Sequence, residues 1–248
     1  SLPEFLLTHP VTTNRIADSR NRAEHYAVRP SPDSPAFQHV RAKIRALTAD
    51  NPEESVRGFR DNLAQGKYLN VDAERYGYAL ALRQNRQWDA ARAETQKLLE
   101  RHPDKIAYHI VQAEIEMSAE EYKKALAAYA SVYAKNPTNL PLMRYYASAL
   151  LKTNRLREAR DLLKKALQQQ PDNALLYKMM AEAAGGTGDP FGAHKALAEH
   201  YYLNGNPNAA IEQLQMAGRF AGNNFYKQSS LEARISAIKE ELALYQGK

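Results

Sequence analysis

Seven histidines are the side chains best suited to metal or acid–base chemistry in this chain of 248 residues, which has no cysteine. A metal held on one helix face needs two imidazoles at i and i+4, with a carboxylate base beside them, as in a His-Glu-x-x-His run. No such run occurs. The nearest pairing, His194 with His200, is spaced six apart and turns the rings to different faces of a helix. Neither His102 with His109 nor His9 with His25 has helical ligand spacing. The absence of cysteine removes thiolate metal sites, a thiol nucleophile and a disulfide scaffold together. It leaves the compartment open, because a thiol-free chain is safe in either redox environment. Neither a nucleophile elbow nor a glycine-rich phosphate loop is present. The residues therefore predict recognition rather than catalysis by this chain, with no cofactor of its own.

Charge is the next candidate for chemistry. Lys plus Arg number 34 against 28 Asp plus Glu, a net charge of +6 that invites a nucleic-acid reading. The excess is spread along the chain as 10 against 8 over 1–71, 19 against 16 over 72–205 and 5 against 4 over 206–248, so no basic tail exists. The densest basic stretch, Arg144 to Lys165, also holds Glu158 and Asp161 and predicts a solvated helix face rather than a phosphate patch. A nucleic-acid-binding helical repeat stays as the alternative; the main expectation is no nucleic acid. A hydrophobic fraction of 44% supports a sizeable core. The longest apolar run, Ala125 to Ala134, is far shorter than a membrane-crossing helix, so a soluble chain without membrane insertion is expected. Beginning at Ser1, without initiator methionine or signal segment, the chain is expected to derive from a longer one.

The elements that position these residues show themselves as a repeat. Pro103, Pro137 and Pro171 fall 34 residues apart. Ala79, Ala113, Ala147 and Ala181 share that interval, and Ala91, Ala125, Ala159 and Ala193 form a second series. Small residues at fixed positions let paired antiparallel helices approach closely where they cross. A proline ends the second helix of each pair, because its ring and missing N–H cannot continue one. Asp104, Thr138 and Asp172 are expected to cap the helices that follow. Predicted pairs are 72–86 with 88–101, 105–118 with 120–135, 140–152 with 156–170, and 174–184 with 190–203. Tyr78, Leu82, Leu98, Tyr129, Val132, Tyr146, Leu150, Leu163, Tyr177 and Leu197 recur within them as core stripes. Trp88 is read as core filling, while Tyr145 and Tyr202 are expected at the surface beside the core residues Tyr146 and Tyr201.

This pattern resembles the tetratricopeptide repeat. Gln112 and Glu116 depart from it, standing where apolar residues are expected. The predicted fold is an all-α, right-handed solenoid. Four repeats cover 72–205, preceded by a helical hairpin at 36–71 and a proline-rich linker at 30–35, and followed by a repeat-like pair and capping helix at 206–248. Beyond Gly205 the pattern recurs after only 17 residues, so helix 190–203 is expected to close one pair and open the next.

In such arrays the concave face comes from the first helix of each pair. The positions not used for packing are Tyr76, Leu80, Arg83, Ile110, Glu114, Met117, Arg144, Ser148, Leu151, Lys178 and Glu182. They predict a groove with an apolar floor at Leu80, Ile110, Met117 and Leu151, and charges at intervals. A carboxylate clamp would need Lys and Asn one turn apart, which none of the equivalent pairs supplies. Arg144 and Lys178 are left as the donors for an acidic group.

Residues 1–29 read as the tail of another domain. Thr8-His9-Pro10, followed by hydroxyl residues at 12 and 13 and by Arg15-Ile16, resembles the segment that closes the catalytic domain of HtpX-related zinc metallopeptidases. Joined to a tetratricopeptide array, it is similar to periplasmic protease–chaperones of the BepA type. That resemblance implies a zinc metallopeptidase as parent, with the His-Glu-x-x-His domain missing here, His9 near the metal, and a periplasmic location. Its implied partners are outer-membrane β-barrel proteins and the machinery that assembles them. A generic tetratricopeptide adaptor unrelated to proteolysis is the other alternative.

Overall fold

The computed structural model describes residues 12–24 and 34–246. Every described element is an α-helix or a turn. The expected tail is represented by α1 (Thr12–Glu24); His9 and most of the expected linker lie outside the described residues. Then come α2 (Pro35–Leu47), α3 (Pro52–Gln65), α4 (Val71–Gln84) and α5 (Trp88–Arg101). The array continues through α6 (Ile106–Ser118), α7 (Tyr122–Lys135), α8 (Leu140–Lys152) and α9 (Leu156–Gln169). It ends with α10 (Ala174–Gly186), α11 (Pro190–Leu203), α12 (Pro207–Gly218) and α13 (Phe225–Gln246).

The 34-residue period is visible in the backbone itself. Arg86, Glu120, Asn154 and Gly188 each close the first helix of a pair in the left-handed region, with φ of 57, 62, 58 and 77°. Behind each, an N–H reaches five residues back to a helix carbonyl: Gln87 to Leu82 at 2.9 Å, Glu121 to Glu116 at 2.9 Å, Arg155 to Leu150 at 2.8 Å and Asp189 to Ala184 at 3.0 Å. That bond satisfies a carbonyl otherwise orphaned at the helix end. Gly205 and Gly222, at φ 75 and 57°, repeat the feature at 17-residue steps. The start signals sit one residue later than expected. Asn139 caps α8 by accepting from the Leu142 N–H at 3.0 Å, and Asn173 caps α10. α6 has Lys105 at its N-cap position and no side-chain cap.

Ala79, Ala113, Ala147, Ala181, Ala91, Ala125 and Ala159 are all buried where helices cross, with Ala193 half-buried. Leu82 and Leu98 belong to a core running from α2 to α6, Leu150 and Leu163 to one running from α6 to α10, and Leu214 to a third across α11–α13. Two departures from regular stacking matter. First, the hairpin expected over 36–71 does not close: α2 and α3 both pack extensively on α4 and only marginally on each other. Second, α11 packs as fully on α12 as on α10, while α10 and α12 do not meet, so one helix serves two pairs. No described helix is long and apolar enough to cross a membrane.

Candidate functional site

The first helices of successive repeats, α4, α6, α8 and α10, make the inner face, and the structure sorts the predicted groove residues into two groups. Tyr76, Leu80, Ile110, Met117 and Leu151 are between 1 and 9% exposed and belong to the core. They do not form an open apolar floor. Repeat register identifies the face a residue lies on, but adjacent first helices here come close enough to bury that face. Arg83 and Glu114 are also withdrawn from solvent and pair with each other across two repeats at 2.8 Å. Ser148, Lys178 and Glu182 are exposed and Arg144 is half-buried. The accessible inner face therefore lies on α8 and α10.

The covering agent over the first repeats is α2. His39 Nε2 shares a hydrogen bond with the Tyr108 hydroxyl at 2.7 Å, and its ring packs on Tyr76 at 5.5 Å between centroids. One turn further, Lys43 Nζ donates to the Tyr145 hydroxyl at 2.9 Å. The Arg45 guanidinium lies 4.4 Å above the Phe59 ring and pairs with the buried Glu74 carboxylate at 3.0 Å, which also accepts from the Asn62 side chain at 2.8 Å. Sequence reasoning missed these residues, because nothing in a helix's own pattern states which neighbour it crosses.

Several charged residues in the repeats pair between helices. Glu116, flagged as a departure from the repeat, receives Arg92 at 2.8 Å. Asp72 receives Arg101 at 2.6 Å, and Glu94 pairs with Arg75. Burial, then the Glu114 carboxylate, raises the phenols of Tyr76 and Tyr129 well above the usual tyrosine range. Burial and the Asp72 charge push Tyr108 up to about 12. These hydroxyls keep their protons and act as hydrogen-bonding groups, not bases. At the start of α11, burial raises Asp189, but the Gly192 N–H at 2.8 Å and the Arg160 guanidinium outweigh it and hold the carboxyl below its usual range.

The basic stretch divides between α8 and α9. Arg144 lies over the Tyr145 ring, Arg155 bonds Glu158 at 2.6 Å, Arg160 pairs with Asp189, and Lys164 approaches Asp161 at 3.3 Å. Several of its charges are thus already neutralised locally. Tyr145 and Tyr202, expected at the surface, are half-buried: Lys43 holds the first, and the second bonds Glu241 beneath the Arg234 guanidinium. His194 bonds Gln213 at 2.8 Å and His200 the Ala174 carbonyl at 2.8 Å. Among the described residues no three metal-ligating side chains converge.

Tetratricopeptide-repeat models match residues 76–141 and 116–183, and with the helix pairing they define the fold as a solenoid of tetratricopeptide helix pairs, a scaffold for protein interaction. Over 239 residues the chain is 27% identical to the beta-barrel assembly-enhancing protease of Yersinia pestis, and over 238 residues 26% identical to that of Escherichia coli strain K12. Each match covers 96% of this chain and 49% of the relative, so the chain spans about half the length of these proteases. Among solved structures, MamA 41-end from Desulfovibrio magneticus RS-1 is 17% identical with a TM-score of 0.49, covering 72% of this chain and 98% of its own.

Proposed function

We propose that this chain is the partner-binding half of a periplasmic zinc metallopeptidase and chaperone acting on outer-membrane β-barrel proteins and the machinery that assembles them. The relatives' shared name and the match over nearly the whole chain support this reading. Zinc and peptide-bond cleavage are assigned to the other half of such a protein. The chain's own part is to hold a polypeptide. A partly unfolded barrel protein offers extended strands with unpaired backbone groups. The open inner face of α8 and α10 meets such strands with donors at Arg144, Ser148 and Lys178 and an acceptor at Glu182. The observation that carries the proposal is that inner-face positions become accessible at α8 and α10, whereas those of α4 and α6 are buried or paired.

Photo-crosslinkers placed at Ser148 and Lys178 should capture a urea-unfolded outer-membrane barrel protein, and one at Lys164 on α9 should not. Capture at Lys164 alone would move the partner to the outer, basic surface. Charge reversal at Lys178 should weaken capture without lowering the melting temperature, since exposed charges contribute little to folding, and adding reversal at the half-buried Arg144 should weaken capture further.

A further inference from the structure

We infer that α2 is a resident, displaceable occupant of the inner groove of repeats one to three, bound there as a ligand would be. It rests on the preceding reading only for the identity of the competitor that takes its place.

The geometry is that of a bound helix. His39 and Lys43 stand one turn apart, yet their partners, Tyr108 and Tyr145, lie on α6 and α8, and the helix beneath them is α4. The body of α2 packs on α4, and from there the side chains of His39 and Lys43 reach to α6 and α8 over the face those helices share. That face is the groove, and Tyr76, 6% exposed, is buried within it.

The way α2 is held makes it removable. Its inward face carries Gln38, Ala42 and Ala46, all buried, whose side chains are small or polar. Its large apolar residues point away: Phe37, Val40, Ile44 and Leu47 are 51, 55, 55 and 37% exposed. A core helix normally has the reverse arrangement, because burying large apolar groups supplies most of the stability of packing. Little apolar area therefore resists the departure of α2. Part-buried hydrogen bonds at His39 and Lys43, with the His39 ring packed on Tyr76 and Tyr108, hold it over the inner face, and the Arg45–Glu74 pair anchors the end nearer α3. Water replaces such bonds at small cost.

The acceptors α2 uses also specify its competitor. Tyr145 and the carboxylate of Glu74 accept from Lys43 and Arg45, and Tyr108 shares a hydrogen bond with His39. A segment that displaces α2 would present basic side chains to Tyr145 and Glu74 and would gain Tyr76 as an apolar contact. The departure of α2 would uncover Tyr76 and the hydroxyls of Tyr108 and Tyr145 on the inner face.

Hydrogen exchange on the full chain tests this without any client, so the failure of this inference and the failure of the client reading are separable. In a His39→Ala, Lys43→Ala double variant, amides of residues 35–47 should exchange roughly tenfold faster or more, as the loss of two net hydrogen bonds implies. Amides of α6 should be unchanged. Tyr145→Phe, which deletes only the hydroxyl, should give a smaller change in the same direction. A labelled synthetic peptide of residues 34–48 should bind the double variant at least several-fold more tightly than the parent, and a crosslinker at position 145 should capture it. Exchange in α2 indifferent to both variants, or peptide affinity equal for parent and variant, would overturn the inference.

Discussion

Glu120 shows how the repeat imposes a conformation on whichever residue occupies a position. It holds φ 62° at the end of α6, where Gly188 holds φ 77° at the end of α10. Left-handed geometry costs an ordinary L-residue about 1–2 kcal/mol, and glycine adopts it freely at the expense of greater unfolded-chain entropy. Glu120→Gly should therefore raise stability by about 0.5–1 kcal/mol, a rise of roughly 1–4 °C in melting temperature for a chain of this size. Gly188→Ala should lower it by a similar amount. A melt in which Glu120→Gly destabilises would mean that the Glu121-to-Glu116 bond is not the determinant of that turn. The sequence announced the interval through alanines and prolines, but it hid the left-handed series, because Arg86, Glu120 and Asn154 have no type in common.

At the scale of elements, most helices were legible. The expected 88–101, 140–152 and 190–203 coincide with α5, α8 and α11, because tryptophan or proline marks each start or a turn marks each end. What escaped was the placement of α2. Its sequence shows a helix with an apolar stripe, and ordinary reasoning would send Phe37, Val40, Ile44 and Leu47 inward. The structure turns them outward, because α4 offers a surface that accepts only small residues. Gly77 is the reason: a Cβ placed there would lie 2.4 Å from the Phe59 ring and 3.0 Å from the Ala42 Cβ. The missing side chain lets α2 and α3 both seat on one helix. Gly77→Ala should push them apart and cost about 1–3 kcal/mol, with the loss concentrated in residues 35–65 when followed by hydrogen exchange. Gly185→Ala supplies the contrast. Its Cβ would meet only Ala193 at 3.7 Å, an ordinary contact, so helix propensity should make that change stabilising by up to about 1 kcal/mol. Equal losses from both changes would refute the role assigned to Gly77.

For the molecule as a whole, the same periodicity that revealed the fold concealed the state of its groove. Register assigns Leu80 and Ile110 to the inner face, but whether that face is open depends on the closeness of neighbouring repeats and on α2, both long-range properties. The core follows the same logic of neighbours. It is divided into a first cluster spanning α2–α6, a central one spanning α6–α10, and a terminal one across α11–α13. In a solenoid each unit touches only its neighbours, so stability is close to a sum of local and nearest-neighbour contributions. A cavity made in one cluster should therefore be felt most strongly there. Leu214, fully buried in the terminal cluster, and Leu150, 1% exposed in the central one, are chemically matched sites for the comparison. Either change to alanine removes the same atoms and costs about 2–5 kcal/mol where the surroundings cannot collapse. Leu214→Ala should accelerate exchange across α11–α13 and leave α4 and α5 at the parent rate. Leu150→Ala should loosen repeats on both sides, because the central cluster joins the two ends, and should shift the main thermal transition by more than Leu214→Ala does. A single transition shifted equally by the two variants, with exchange raised uniformly from α2 to α13, would show instead that the array folds as one cooperative block.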